Sequence, residues 1–276
     1  MQAIRAITVV AIALVSVACN QQSGPGAAKS DADLYSYLPP DAVFAAGARL
    51  SHMRKSPIYE RFRDRLPAEV LPYEKEASEL VIASDGAHSL VLVRGKFDRR
   101  RLERDLKASD HKSAPVEFLA DDLIAIGERA QVDAAKRRAG SSLAGQIPAA
   151  ADVWAVTNGR LPLQPPERSN LSNLNRLGQD LQMGVIKLNL SDAIQADARF
   201  EFANEPASEQ AQTALRGFIG LARLSTPDGK EQLLQVLDRI QVGREKARVV
   251  LKADWPAELV NTVLQALPAA PRSPAQ

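Results

Sequence analysis

His52, His88, His111, Cys19, the serines near 141 and the pair Asp121-Asp122 are the side chains of this 276-residue chain that could serve as nucleophile, general base or metal ligand. The three histidines fall in predicted loops, too far apart for the i, i+4 or short-loop spacing of a metal site. Gly140-Ser141-Ser142-Leu143-Ala144 approaches a nucleophile elbow but ends in alanine and follows a predicted helix. The elbow needs a strand-to-helix turn to expose its serine, so Ser142 reads as a loop residue. Asp121-Asp122 could pair carboxylates for acid–base work, yet between two short apolar runs it reads as a hairpin turn. Gly24-Pro25-Gly26 lies in a polar stretch and Gly217-x-x-Gly220 inside a predicted helix, so neither makes a phosphate-binding loop. No catalytic, cofactor-binding or metal site is expected, and the chain reads as a non-enzymatic protein.

Cys19, the only cysteine, directly follows an uncharged apolar run from Ala6 to Ala18 that begins after Arg5. This is the layout of a cleaved signal peptide over residues 1–18, and the run is too short to span a bilayer comfortably. Ser16-Val17-Ala18-Cys19 resembles the lipobox of bacterial lipoproteins, which implies acylation of Cys19. The chain departs from that pattern at Ser16, where the family usually carries leucine or a similar aliphatic residue. Ser16-x-Ala18 also suits the ordinary signal peptidase, and the two readings differ in whether the new N-terminus carries lipid. No second cysteine offers Cys19 a disulfide. Residues 19–34 then form the attachment point and a tether, since 20–33 (NQQSGPGAAKSDAD) is too polar to bury a core. The resemblance implies a periplasm-facing, lipid-anchored envelope protein, with Asn20 after the cysteine favouring the outer membrane. A soluble periplasmic protein is the alternative.

The charge balance limits the partners. The chain holds 35 basic and 33 acidic residues, and loss of the leader removes only Arg5. A nucleic-acid binder would show a basic excess on one face. The densest basic run, Lys96 to Lys107, is interleaved with Asp98, Glu103 and Asp105, which suits a solvated helix. Aromatics make up 5% of the chain, so stacking platforms have few candidates, and Trp154 and Trp255 read as core packing.

Periodicity predicts an α+β protein of two tandem related units with ferredoxin-like antiparallel sheets and packed helices. The first spans 35–147, the second 148–268, and 269–276 is a Pro/Ala-rich tail. In the first, Asp41–Arg49 reads as a strand and Ser56-Pro57 opens a helix. Strands follow at Glu79–Ser84 and Ser89–Phe97 around an Asp85-Gly86 turn, then an Asp98-capped helix, strands Val116–Leu119 and Leu123–Gly127, and a helix from Glu128. The second repeats the order from Val153-Trp154-Ala155, which matches Val43-Phe44-Ala45 at an offset of 110 residues. It continues through a polar helix Ser169–Leu181, strands Gly184–Leu190 and Ile194–Phe202, and a helix Pro206–Leu224. An inserted helix Lys230–Arg239, strands Ile240–Val242 and Lys246–Ala253, and a helix Pro256–Leu267 complete it. The first six elements of each unit have the order of a split βαβ fold, and the alternative is one continuous α+β domain whose similar segments are coincidence. Gly159–Asn170, with three prolines, reads as a connector, with a lid or partner-binding loop as the alternative.

One strand is cleanly two-faced. Ile194, Ala196, Ala198, Phe200 and Phe202 alternate with Gln195, Asp197, Arg199 and Glu201. Neighbouring strands add Lys187 and Asn189, and Arg248 and Lys252, so opposite charges could pair across strands. Asp197, Arg199, Glu201, Lys187 and Arg248 are therefore the candidate interaction face, with a salt-bridged solvent face as the plainer reading. Leu38-Pro39-Pro40-Asp41-Ala42, Arg94-Gly95-Lys96-Phe97-Asp98, Asp152-Val153-Trp154-Ala155-Val156 and Leu237-Asp238-Arg239-Ile240-Gln241-Val242 resemble stretches of uncharacterised exported bacterial proteins. That resemblance implies no reaction. The expectation is a membrane-anchored binding module with an envelope protein partner and no nucleic acid. The alternative is a ligand- or lipid-binding carrier with a cavity between the units.

Overall fold

Among the described residues, apolar or alternating runs, most bounded by turn residues, become the ten strands of one sheet. The structure, a computed structural model, describes residues 33–63, 71–108, 115–159, 180–227 and 229–266. The strands are β1 (Phe44–Ala48), β2 (Ala77–Ser84), β3 (Ser89–Gly95), β4 (Val116–Ala120), β5 (Leu123–Gly127), β6 (Val153–Thr157), β7 (Leu181–Leu190), β8 (Ala193–Phe202), β9 (Gln241–Glu245) and β10 (Arg248–Pro256). The helices are α1 (Leu50–Met53), α2 (Pro57–Arg63), α3 (Leu71–Glu74), α4 (Arg99–Ala108), α5 (Arg129–Lys136), α6 (Glu205–Leu224), α7 (Glu231–Asp238) and α8 (Ala257–Ala266). Local chemistry sets several of these boundaries. Asn204 Oδ1 accepts from Ala207 N at 2.9 Å to cap α6, Asp98 Oδ1 accepts from Arg101 N at 3.1 Å to start α4, and Gly86 turns the β2–β3 hairpin at φ +102°.

The strand order is β4-β5-β3-β2-β1-β6-β7-β8-β10-β9, with every neighbouring pair antiparallel. Read outward from the β1–β6 seam, each half has the same succession of first, second, third, fifth and fourth strand. The fold is α+β, as its periodicity predicts. The strands do not interleave as a split βαβ unit would require, because β1 lies directly beside β2. The reason lies in the connection between them. Met53 of α1 and Ile58 and Tyr59 of α2 are buried among Ile194, Leu259 and Val260, so the connection packs its apolar side chains into the second half's core.

The sheet carries its cores on opposite faces. Side chains of laterally paired residues share a face, and the registers place Ala45, Val81, Ala83, Leu90, Leu92, Ala125, Trp154 and Val156 together on one. There Leu34, Tyr35, Tyr37 and Leu38, then Val132 and Ala135 of α5, and Leu143 roof the first half. On the other face Leu188, Ile194, Ala196, Ala198, Ala253 and Trp255 meet α1, α2 and α8, and Phe202 and Val249 meet Ala207 and Ala211 of α6. The 110-residue offset is therefore not a structural equivalence. Trp154 pairs with Gly47 and is buried on the roofed face, whereas Phe44 pairs with Thr157 and points to the other.

Most element boundaries fall within a few residues of their predicted positions. Leu181 is a correction, since it opens β7 instead of ending a helix; its side chain is needed in the core beside Phe202 and Ala211. The rest of that predicted helix to residue 179, together with the leader, Cys19, the tether to residue 32, His111 and the tail, lies outside the described residues. No described helix is long and apolar enough to cross a membrane.

Candidate interaction face

The charged residues of β8 are gathered by register. Asp197 of β8 lies between Lys187 of β7 and Lys252 of β10, and Arg199 lies between Val185 and Val250. Glu201 lies between Met183 and Arg248, and Gln195 between Asn189 and Asp254. A fourth strand, β9, brings Gln241 beside Lys252 and Gly243 beside Val250. These residues occupy the face that in the first half is roofed and apolar. In the second half, α6, α7 and α8 pack on the opposite side, through Ala207 and Ala211, Val236, and Leu259 and Val260. Trp255 fastens α7 there by donating from Nε1 to the Val236 carbonyl at 3.0 Å. No described helix covers the charged face.

Its internal pairing is uneven. Asp197 is only 3% exposed, with Arg199 Nε at 3.3 Å and Lys187 Nζ at 3.9 Å. A carboxylate so buried requires cationic company, because desolvating a lone charge costs far more than a surface pair returns. Arg248 donates to Glu201 Oε1 from both Nη2 at 2.7 Å and Nε at 3.1 Å. Lys252 is exposed and makes no ion pair among the described residues, and the Arg199 side chain is 56% exposed. The anion lies low with Lys187 largely buried beside it, and Arg199 and Lys252 stand outward.

The other chemistry-bearing residues are scattered. His88 sits in the β2–β3 turn with Nδ1 3.0 Å from Asp85 Oδ2 and Nε2 3.6 Å from Glu128. The hydrogen bond to Asp85, then the charge of Glu128, pushes the imidazole's pKa above its ordinary value. His52 Nδ1 lies 4.0 Å from Asp152 Oδ1 at the seam. Asp121 and Asp122 form the β4–β5 turn, with Asp122 3.4 Å from Arg94, and Ser142 lies in a turn. Among the described residues no group of three or more His, Cys, Asp or Glu is placed to hold a metal ion.

Two buried polar clusters carry no sequence signal, since charged residues flanking apolar runs read as surface. At the seam, Tyr35 donates to Glu79 Oε1 at 2.8 Å, and Arg49 donates to Tyr35 Oη at 2.8 Å and to the carbonyls of Pro148 and Ala151. Near α2, Tyr59 donates to Glu74 Oε1 at 2.6 Å while Arg54 and Arg63 approach the same carboxylate at 3.7 and 3.6 Å. Burial, then the bond to Glu74, drives the Tyr59 phenol's pKa strongly upward, so it is a donor at any ordinary pH. Both clusters are structural pins. They tie the N-terminal segment, the seam and the first connection together.

No protein-family profile and no curated protein matches the chain. Solved structures do. The chain is similar to TP0453 in crystal form III, with TM-score 0.52 and 9% identity over 85% of this chain and 98% of that one. Crystal form IV of TP0453 gives TM-score 0.52 and 9% identity over 84% and 96%. At that identity the likeness is one of fold.

Proposed function

We propose that this chain is a lipid-anchored envelope protein that works as a non-enzymatic docking module. Its leader and lipobox-like Ser16-Val17-Ala18-Cys19 would export and acylate it, and residues 20–33 would set its distance from the membrane, at most about 50 Å when extended. Stable attachment needs more than one acyl chain or a second membrane signal. The observation that carries the docking part is the charged face of β7, β8 and β10, which no described helix covers, with α6, α7 and α8 on the far side of the sheet. Replacing Cys19 by serine should release the protein from membranes, and the wild-type N-terminal peptide should carry lipid mass. Retention of the variant together with an unmodified wild-type peptide defeats the anchor.

A carrier of apolar ligands is the second reading. Phe44, Ile82, Val93 and Phe118 are half-buried on the first half's other face, opposite the roofed one, and Leu224 at the end of α6 is 87% exposed. The junction between the halves is not the place for such a ligand, because β1 and β6 hydrogen-bond directly and Trp154 packs onto Gly47 there. Lipid co-purifying in native mass spectrometry favours the carrier, and its absence favours docking.

A further inference from the structure

α5 closes the roof of the first half, yet its own sequence does not cap its start. The N-cap residue Glu128 is extended, at φ −64° and ψ 150°, and makes no side-chain capping bond, which leaves the first turn without the support a serine or aspartate there would give. That support comes from the β2–β3 turn. Asp85 Oδ2 accepts from Gln131 Nε2 of α5 at 2.9 Å, and Gln131 is 8% exposed. The same oxygen lies 3.0 Å from His88 Nδ1, while His88 Nε2 lies 3.6 Å from Glu128 Oε2. Beneath these contacts Val132 and Ala135 are fully buried in the core they share with Leu90 and Leu92.

His88 thus has a carboxylate at each ring nitrogen. A neutral imidazole carries one N–H, so when Nδ1 donates to Asp85, Nε2 turns a lone pair toward Glu128. The imidazolium carries an N–H toward both. Asp85 is fixed in place for this contact, because its Oδ1 accepts from Ala87 N at 2.8 Å and from His88 N at 2.7 Å. Asp41, ahead of β1, adds a third negative charge to those of Asp85 and Glu128 around the ring. We propose that His88 is a pH-responsive clasp, whose imidazolium joins the β2–β3 turn to the first turn of α5 and whose neutral form releases it. The raised His88 pKa agrees with that arrangement. For a histidine with a raised folded value, the contribution is complete below the unfolded value near 6.5 and is lost as pH rises through the folded one. The clasp is exposed and the core beneath it apolar, so release changes how often one turn of the roof opens and leaves the fold intact. Closure of the roof at this corner then follows the acidity around the protein.

The test is amide hydrogen exchange of the purified full chain, followed by NMR at about pH 5.5 and about pH 8 and corrected for the intrinsic rate. The Gln131 and Val132 amides, both of which donate to the Glu128 carbonyl, should be about two- to fourfold better protected at the lower pH. In His88→Gln, which keeps a donor for Asp85 but carries no charge, that difference should vanish. Glu128→Gln should shrink it and lower the His88 pKa read from the imidazole resonances of the same samples. Equal protection of the two amides at both pH values overturns the proposal, as does a pH difference that persists in His88→Gln. A His88 that titrates at or below the ordinary histidine value, or one whose pKa is unmoved by Glu128→Gln, overturns it independently of any loss of stability in the variants.

Discussion

Gly47 of β1 lies directly across the seam from Trp154 of β6, and the indole occupies the space a side chain at 47 would need. A Cβ there would sit 2.5 Å from Trp154 Cζ2 and 2.9 Å from the Leu80 carbonyl oxygen. The indole stacks edge-on to Tyr35 at 5.5 Å, so this one glycine lets the first half's core continue across both halves of the sheet.

Gly47→Ala should therefore destabilise the chain by about 2–3 kcal/mol through overpacking, read as a lower urea midpoint. Trp154→Phe removes the offending ring atoms and an Nε1–H that has no hydrogen-bond partner among the described residues. The double variant should be at least about 1 kcal/mol more stable than the two single losses predict. Simple additivity would mean that the seam does not depend on this contact.

Arg49, 3% exposed, is held between Glu79, Tyr35 and the 148–151 segment. Arg49→Met removes a cation from beside the buried Glu79 carboxylate and should cost about 3–5 kcal/mol. Removing both charges with Arg49→Met and Glu79→Met should recover a substantial part of that loss. If the double variant is the less stable of the two, the network is not organised around the buried ion pair.

Asp152 links the ends of β1 and β7. Its carbonyl accepts from Arg49 N at 2.7 Å, and its Oδ2 accepts from Leu190 N at 2.7 Å. Burial raises its pKa, opposed by the Leu190 hydrogen bond and by the charges of His52 and Arg49. For an acid with a raised folded pKa, the cost of burying the charge is absent below the unfolded value near 3.9 and is incurred as pH rises through the folded value. Asp152→Asn keeps an acceptor for Leu190 N and removes the charge. The variant should be more stable than wild type at pH 7, with the advantage fading toward pH 3. An advantage that is constant across this range would show that the charge is not its cause.

Strict alternation made β8 legible, because Ile194 to Phe202 keeps one face apolar and the other charged for the whole strand. Turn chemistry was equally plain at Asp85-Gly86 and Asp121-Asp122, and both tryptophans are buried as composition suggested. The side on which each core lies was not legible. β3 reads Ser-Leu-Val-Leu-Val-Arg-Gly, apolar on both faces, so nothing in it says which side α5 will cover. The excursion of α1 and α2 into the second half was hidden for a similar reason, since Met53, Ile58 and Tyr59 mark a buried face without saying whose core buries it. Buried Arg49, Glu74 and Glu79 resemble surface charges in sequence, because only the fold supplies their partners. In the interaction face, residue types and spacing were visible, but the sinking of Asp197 beneath outward cations depends on three strands in register.

If the chain is a docking module, its charged face should be occupied in the native envelope. Cys19 is the only native cysteine, so Lys252→Cys adds one thiol to the middle of that face, and Arg100→Cys adds one to α4 as a control. Each is labelled with a bulky maleimide, once in intact envelopes and once after purification. Position 252 should be shielded in envelopes and react fully when purified, while position 100 should react in both. Equal labelling of position 252 in the two preparations would contradict it.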